Sequence, residues 1–389
     1  MGQELEIYIH IPFCRKKCLY CDFLSFEGCH RDDIHDYIRA LQGELRMRAE
    51  ELSARRVSSV FIGGGTPSSI SAEYIGDIMD VLHYYYDVSD DAEITIEVNP
   101  GTVLNEGLKV YKAAGINRLS IGLQSANDDE LKTLGRIHDF DRFLRIYDAA
   151  LRVGFDNLNV DIMTAIPGQD LDSLKQTLQR VTRLRPSHIS AYSLMVEEGT
   201  PFYEIYGEDD ANRRAGGDSG SLPSEELVSA MDALTVEYLE SNGYARYEIS
   251  NYARKNKVCR HNIGYWTGVD YLGVGLGAAS LIDGVRSSNV RGIDNYVKLI
   301  SDGASPAAEA FELSRREKME EFMFLGLRMI DGVSRAEFED RFNIYPEAIY
   351  GDVFNRLSAA GLLLLSDGRI RLTEEGLDIS NIVLAEFLL

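Results

Sequence analysis

The strongest constraint on this chain is a rhythm in its first half, where short β-rich runs alternate with amphipathic stretches. The runs Leu5–Ile11, Val57–Ile62, Ile94–Val98, Arg118–Leu123, Leu158–Thr164 and His188–Leu194 carry Ile, Val, Tyr and Phe and end in Gly, Pro, Asn or Ser signals. That is the composition and punctuation of strands. Between them, Asp32–Leu52 sets Ile34, Ile38, Leu41 and Leu45 at helical spacing, and Ser71–Tyr85, Val103–Ala114, Phe140–Val153 and Ser173–Leu184 are also amphipathic. Strand–helix units in series predict a parallel sheet wrapped by helices. Six units fall short of a closed eight-fold barrel. The expectation is therefore an α/β fold built on an open or partial (β/α)6 barrel over residues 1–215.

Beyond that point the pattern changes. Ala215–Ser224 is polar and Gly-rich and reads as a loop before a strong helix at Glu225–Ser241. The run Gly273-x-Gly275-x-Gly277 invites a dinucleotide reading, but it is not inside a clear βαβ unit, so a turn near the mouth of the site is expected. Residues 216–310 are expected to extend the barrel. From about Leu313 short helices take over. Leu357–Leu365, the turn Asp367-Gly368 and Ile370–Leu372 read as a helix running into a two-stranded wing, giving a winged-helix-like C-terminal domain over 311–389.

Three of the five cysteines crowd into eight residues, as Cys14-x-x-x-Cys18-x-x-Cys21. An odd cysteine count in a long chain argues against a disulfide framework and for a reducing compartment. Three thiolates in one loop can hold three irons of a cubane, leaving the fourth open to a small chelating ligand. Zinc competes for such a loop, with His10 or Asp22 as a fourth ligand, although structural zinc wants four closed ligands. The net charge, 40 basic against 62 acidic residues, is −22. This excludes nucleic-acid binding through a general electrostatic footprint and disfavours anionic lipid surfaces. No apolar run approaches the roughly 18 residues of a spanning helix. Met1–Glu6 shows no basic segment ahead of an apolar run, so no secretory signal is expected and the cytoplasm is the expected compartment.

The segment Tyr8-Ile-His-Ile-Pro-Phe-Cys14-x-x-x-Cys18-x-Tyr20-Cys21 resembles the cluster loop of radical S-adenosylmethionine (SAM) proteins, and specifically the oxygen-independent coproporphyrinogen III oxidase group. The resemblance implies a [4Fe-4S] cluster on Cys14, Cys18 and Cys21, with SAM chelating the open iron and one electron from the cluster splitting its S–C5′ bond. It extends to Gly64, Gly65 and Thr66 in the Gly63–Ser68 turn, to Glu97, Gln124 and Asp161 on successive strands, and to Arg136. All match positions that contact SAM in the family; Tyr8 and Tyr20 match aromatic positions near cluster and adenine. Each acid alone would read as a solvated or salt-bridged side chain. Ligand groups of α/β barrels gather at the carboxyl ends of the strands, where the cysteine loop, the Gly-rich turn, Glu97 and Gln124 are expected, with Asp161 nearer mid-strand.

Within the group, the oxidases usually carry a further cysteine two residues after the third; here that position is Phe23. This, and the His261-Asn262-x-x-Tyr265-Trp266 signature, are most similar to the HemW heme-chaperone branch. The resemblance covers essentially the whole chain. It implies a protein that binds cluster, SAM and heme and passes heme to an acceptor protein such as a membrane respiratory enzyme. It further implies an electron donor of flavodoxin or ferredoxin type, and it allows a homodimer. No residue is assigned a catalytic role; oxidative decarboxylation of coproporphyrinogen is the alternative activity. Imidazole and thiolate both ligate heme iron, which makes His261 the candidate axial ligand and Cys259 a weaker one, with Tyr265 and Trp266 able to cover a flat macrocycle. A histidine in such a segment also reads as a packed core residue. Cys29, His138 and His188 are expected to be structural.

Overall fold

The computed structural model describes residues 4–103 and 105–389. Leu104, inside the helix predicted over Val103–Ala114, and Met1–Gln3 of the N-terminal stretch lie outside the described residues. The chain opens with β1 (Glu4–Ile11), and a small parallel pair, β2 (Phe13–Cys14) and β3 (Phe26–Glu27), closes the base of the cysteine loop. Strand–helix units follow: α1 (Arg31–Leu52), β4 (Arg56–Gly64), α2 (Ala72–Tyr85), β5 (Asp87–Val98), α3 (Asn105–Ala113), β6 (Arg118–Gln124), α4 (Asp128–Thr133), α5 (Phe140–Val153), β7 (Asn157–Thr164), α6 (Leu171–Leu184) and β8 (His188–Ser193). After them come α7 (Pro201–Arg214), α8 (Glu225–Ser241), β9 (Ala245–Glu248), β10 (Asn251–Ala253), α9 (Arg260–Thr267), β11 (Tyr271–Val274), β12 (Ala279–Ile282), β13 (Val285–Asn289), α10 (Ile293–Ser301) and β14 (Ala307–Glu312). All six predicted strands form.

One twelve-stranded sheet results, in the order β14-β13-β12-β11-β1-β4-β5-β6-β7-β8-β10-β9. The strands from β11 to β8 run parallel and the flanks antiparallel. Its two edges are different strands, β14 and β9, so the sheet is open. Side chains alternate between its faces. Leu5, Ile7, Ile9, Val60, Ile62, Ile96, Leu119, Ile121 and Val160 are buried in the main core, which is why the helical stripes cover that face. The alternate positions, such as Glu6, Tyr8 and His10 on β1 or Arg118, Ser120 and Gly122 on β6, form a polar inner face.

The glycine run meets expectation in part: Gly275–Gly277 make the expected turn, but a strand leads into it. Tyr271–Val274 is not a turn but a seventh parallel strand, pairing β1 from Glu6↔Tyr271 to Ile9↔Val274. The reason is local: a side chain on Gly273 would strike the Ala279 carbonyl, so only glycine lets the chain fold back into β12. The turn is held from α1. Buried Glu44 accepts from the Gly275 N–H (2.8 Å), Asn289 Nδ2 (2.7 Å) and Tyr296 O–H (2.6 Å). Helices α4 and α7 were also not expected. The second carries a legible start, Thr200 as N-cap with Pro201 at the first helical position.

The C-terminal elements have their own core around Met323, Phe338, Tyr350, Phe354 and Phe387. They are α11 (Arg315–Gly326), β15 (Val333–Ser334), α12 (Arg335–Phe342), α13 (Glu347–Ala359), β16 (Leu363–Ser366), β17 (Arg369–Leu372), α14 (Glu374–Asp378) and α15 (Ser380–Ala385). The expected wing forms, with Asp367 (φ 53°) and Gly368 (φ 73°) making the two-residue hairpin turn. It has a third strand, β15, paired with β17. Within Leu357–Leu365 the helix ends at Ala359 and the first strand of the wing begins at Leu363.

Candidate functional site

The carboxyl ends of β1, β4, β5 and β6 converge beside the cysteine loop. Gly65 N–H donates to Ile11 O and Thr66 N–H to Phe13 O, both at 2.9 Å, laying the glycine turn along the start of the loop. Thr66 Oγ1 lies 3.5 Å from Cys14 Sγ, and Gly64 N–H donates to Glu97 Oε2 at 3.1 Å. Two glycines here are obligatory. Gly64 has φ 115°, which side-chain-bearing residues rarely adopt, and a Cβ on Gly65 would sit 3.1 Å from Cys14 Sγ and 2.9 Å from the Pro12 carbonyl carbon. Arg136 reaches the loop from beyond β6, with Nη1 3.4 Å from Cys18 Sγ and Nη2 donating to Gly122 O at 2.6 Å. Tyr20 packs edge-on to Phe202 at 6.3 Å, and Arg136 and the Cys18 and Cys21 sulfurs lie near its phenol. Burial raises the Cys14 thiol and pushes Cys21 up to about 11. The donor set fits a cluster: three thiols on one loop, a cation against the middle one, and a side-chain-free cradle beside the first. Among the described residues no three His, Cys, Asp or Glu side chains close on a single-ion site.

Deeper in the inner face, burial pushes Glu97 up to about 8, reinforced by the neighbouring Asp161 carboxylate. Asp161 is raised by burial and takes hydrogen bonds from Asn159 Nδ2 (2.6 Å) and Ser120 Oγ (3.2 Å). Gln124 ends β6 at φ 74°, a strained value for a residue with a side chain, at a register shift against β7. Such strain clusters at functional sites. Tyr8 O–H donates to His10 Nδ1 (3.0 Å), because His10 Nε2 faces the Leu24 carbonyl at 2.9 Å and so carries the proton. His10 therefore hydrogen-bonds beside the loop. Asp22 and Phe23 are exposed, Phe23 at 66%.

His261 lies at the opposite end of the sheet. There α9 lies across the starts of the strands. Its ring is 1% exposed, with Nδ1 on Ser59 Oγ (2.8 Å), Nε2 on Tyr265 O–H (3.1 Å) and a face on Phe61. Nε2 is open to an incoming ligand only after Tyr265 lets go. Cys259 is equally buried and its thiol is pushed up to about 12 by burial. His188 bridges Asn159 and Tyr247, and His138 bonds Leu123 O.

The inner face also holds buried ionisable groups that the sequence does not single out: Glu6, Glu93 and Arg118. Their signal was the i, i+2 alternation of polar residues inside the predicted strands, as in Glu6-x-Tyr8-x-His10. Glu6 Oε2 lies 3.8 Å from His261 Nδ1 without a hydrogen-bond partner, and burial pushes this carboxyl from 4.5 up to about 8. A raised carboxyl contributes stability that is complete below pH 4.5 and is lost as pH rises through 8. Subtracting the urea stability of Glu6→Gln from that of the wild type across this window isolates the term. The difference should fall as pH rises; a flat difference would place Glu6 in a solvated environment.

Known proteins resemble this chain in sequence and in fold. Residues 8–181 match the family described as the Radical SAM superfamily, and 313–379 the HemN C-terminal domain. The solved structure of Escherichia coli coproporphyrinogen III oxidase (HemN), titled a radical SAM enzyme, superposes with a TM-score of 0.85 over 100% of this chain and 90% of that one, at 23% identity. Fold and site thus define a radical SAM protein, of a class that typically uses a [4Fe-4S] cluster and SAM. Relatives named heme chaperone HemW include that of Bacillus subtilis, 34% identical over 98% of both chains, and that of Mycobacterium tuberculosis H37Rv, 30% identical over 95% of this chain and 93% of its own. The zebrafish radical S-adenosyl methionine domain-containing protein 1, mitochondrial, is 33% identical over 99% of this chain and 87% of its own. The chain belongs to the HemW heme-chaperone family. Among the described residues no helix is long and apolar enough to cross a membrane.

Proposed function

We propose that this protein is a cytoplasmic heme chaperone that carries a [4Fe-4S] cluster on Cys14, Cys18 and Cys21 and binds SAM beside it. The carrying observation is Phe23 where the oxidase group has its additional cysteine, in a chain otherwise kin to proteins named heme chaperones. Gly64, Gly65 and Thr66 would hold the amino-acid end of SAM, Glu97 and Asp161 its ammonium or ribose hydroxyls, and Gln124, Arg136, Tyr8 and Tyr20 its remaining surface. When bound, the cluster supplies a single electron to the sulfonium. The chain's own part is positional. Arg136 sets a cation against Cys18, Gly64 orients the Glu97 carboxyl, and Asn159 and Ser120 fix Asp161. Glu97 and Asp161 share a buried space, so a cationic ligand there lowers the cost of ionising both.

In this reading residues 1–215 hold cluster and SAM, 216–310 and 311–389 serve the cargo, and heme passes to an acceptor such as a membrane respiratory enzyme. A flavodoxin- or ferredoxin-like donor reduces the cluster, and the protein works alone or as a homodimer. One anaerobically reconstituted sample tests it. It should bind hemin stoichiometrically, change its cluster spectrum on adding SAM, and release no protoporphyrinogen from coproporphyrinogen III. Turnover of the porphyrinogen would instead establish the decarboxylase activity. His261→Ala tests the axial ligand: a shifted Soret band is expected if imidazole binds iron, and an unchanged band and affinity would remove His261 from that role.

A further inference from the structure

Asp161 stands at the end of a buried polar chain, and the chain has a direction. On the inner face the register places Ser120 of β6 beside Asn159 of β7, Asn159 beside His188 of β8, and Asp161 beside Ser190. Asn159, His188 and Ser190 are no more than 2% exposed, so water does not compete for their hydrogen bonds. Asp161 keeps some exposed surface, which makes it the member of the group that a ligand can reach.

The direction follows from the groups that only accept. A carboxylate has no proton to give, so the Asn159 amide turns Nδ2 toward it, 2.6 Å from Asp161 Oδ1 and 2.8 and 3.0 Å from Ser120 Oγ and Ser190 Oγ. Asn159 Oδ1 then faces His188 Nδ1 at 2.7 Å, and an amide oxygen also only accepts, so Nδ1 carries the imidazole proton. Burial, reinforced by the Arg118 guanidinium, holds the pKa of His188 well below the ordinary imidazole value. The ring is therefore neutral, and Nε2 offers a lone pair to the Tyr247 hydroxyl at 2.8 Å. Tyr247 fixes this tautomer, because its oxygen already accepts from Cys259 N–H at 3.2 Å and its proton is left for Nε2. Every donor from Cys259 to Asp161 thus points the same way. Ser120 and Ser190 hydroxyls can give or accept, so they tolerate either orientation of the Asn159 amide; the imidazole held by Tyr247 does not.

We propose that His188 is a positioning residue for SAM. It locks the Asn159 amide with its N–H side toward Asp161, and that keeps the Asp161 carboxylate aimed to accept from a donor group of the ligand, a ribose hydroxyl or the ammonium. The inference rests on the SAM-binding reading of Asp161 and adds a residue that acts on SAM only through Asn159 and Asp161. Without the imidazole the amide is free to turn over and set its oxygen against the carboxylate, which then swings away or takes up a proton.

SAM binding to the full-length, anaerobically reconstituted protein tests this, read by equilibrium dialysis with labelled SAM and by the EPR signal of the reduced cluster. His188→Leu should take up a full cluster but bind SAM about tenfold more weakly. His188→Asn, whose side-chain amide can donate from near the place of Nδ1, should recover most of that loss. A double-mutant cycle separates positioning from a general loss of structure: Asp161→Ala/His188→Leu should bind SAM no more weakly than Asp161→Ala alone. Nitrogen NMR of wild-type protein labelled at histidine needs no folded variant: His188 should show a protonated Nδ1 and a bare Nε2 near neutral pH. Wild-type affinity in His188→Leu, additive losses in the double variant, or a proton on Nε2 overturns the assignment. A wild type whose cluster signal ignores SAM overturns the SAM-binding reading instead.

Discussion

Cys18→Ala is expected to come out of anaerobic reconstitution with essentially no bound iron and no visible charge-transfer absorption, where the wild type takes up one cluster per chain. A cubane on three thiolates has no spare anchor, so removing the middle sulfur leaves two attached irons. The loop cannot compensate. Cys21 N–H closes a turn on Cys18 O at 3.2 Å, and Arg136 Nη1 points a cation at the Cys18 sulfur. Of the other two sulfurs, Cys259 sits under α9 at the opposite end of the sheet and Cys29 packs against the main core. Cys29→Ala and Cys259→Ala should therefore keep their iron. Full iron content in Cys18→Ala would show that the loop is not the cluster site.

The second large effect is on stability. Glu44→Ala removes a buried acceptor shared by three donors, the Gly275 N–H, Asn289 Nδ2 and Tyr296 O–H. Each buried donor left unpaired costs about 1–3 kcal/mol, so a loss on the order of 3–5 kcal/mol is expected in urea unfolding. That is a large part of the roughly 5–15 kcal/mol by which domains are stable. Glu44→Gln, which keeps an acceptor oxygen, should lose clearly less. A Glu44→Ala midpoint within experimental error of wild type would mean that the glycine turn is held by its backbone alone.

The six strands and their helices were legible because one face of each strand and one stripe of each helix must bury, and that requirement writes periods of two and 3.6 into the chain. The cluster loop was legible because three ligands of one centre lie within eight residues. Strand β11 was not. Gly273 and Gly275 carry no side chains to show a period, and its partner β1 lies more than 250 residues earlier. Arg118 and Glu6 were hidden differently. Each looks like an ordinary surface charge until the sheet curls and puts both in its interior.

The linear chain determined the α/β repeat, the sulfur loop and the glycine turn after β4, because in each the interacting groups are close neighbours or follow a local period. Tertiary structure alone decided the rest. It set Glu97 against Gly64 and sealed His261 beneath Ser59 and Tyr265. Those relations depend on burial and on contacts across long loops, and folding creates them only when distant surfaces meet.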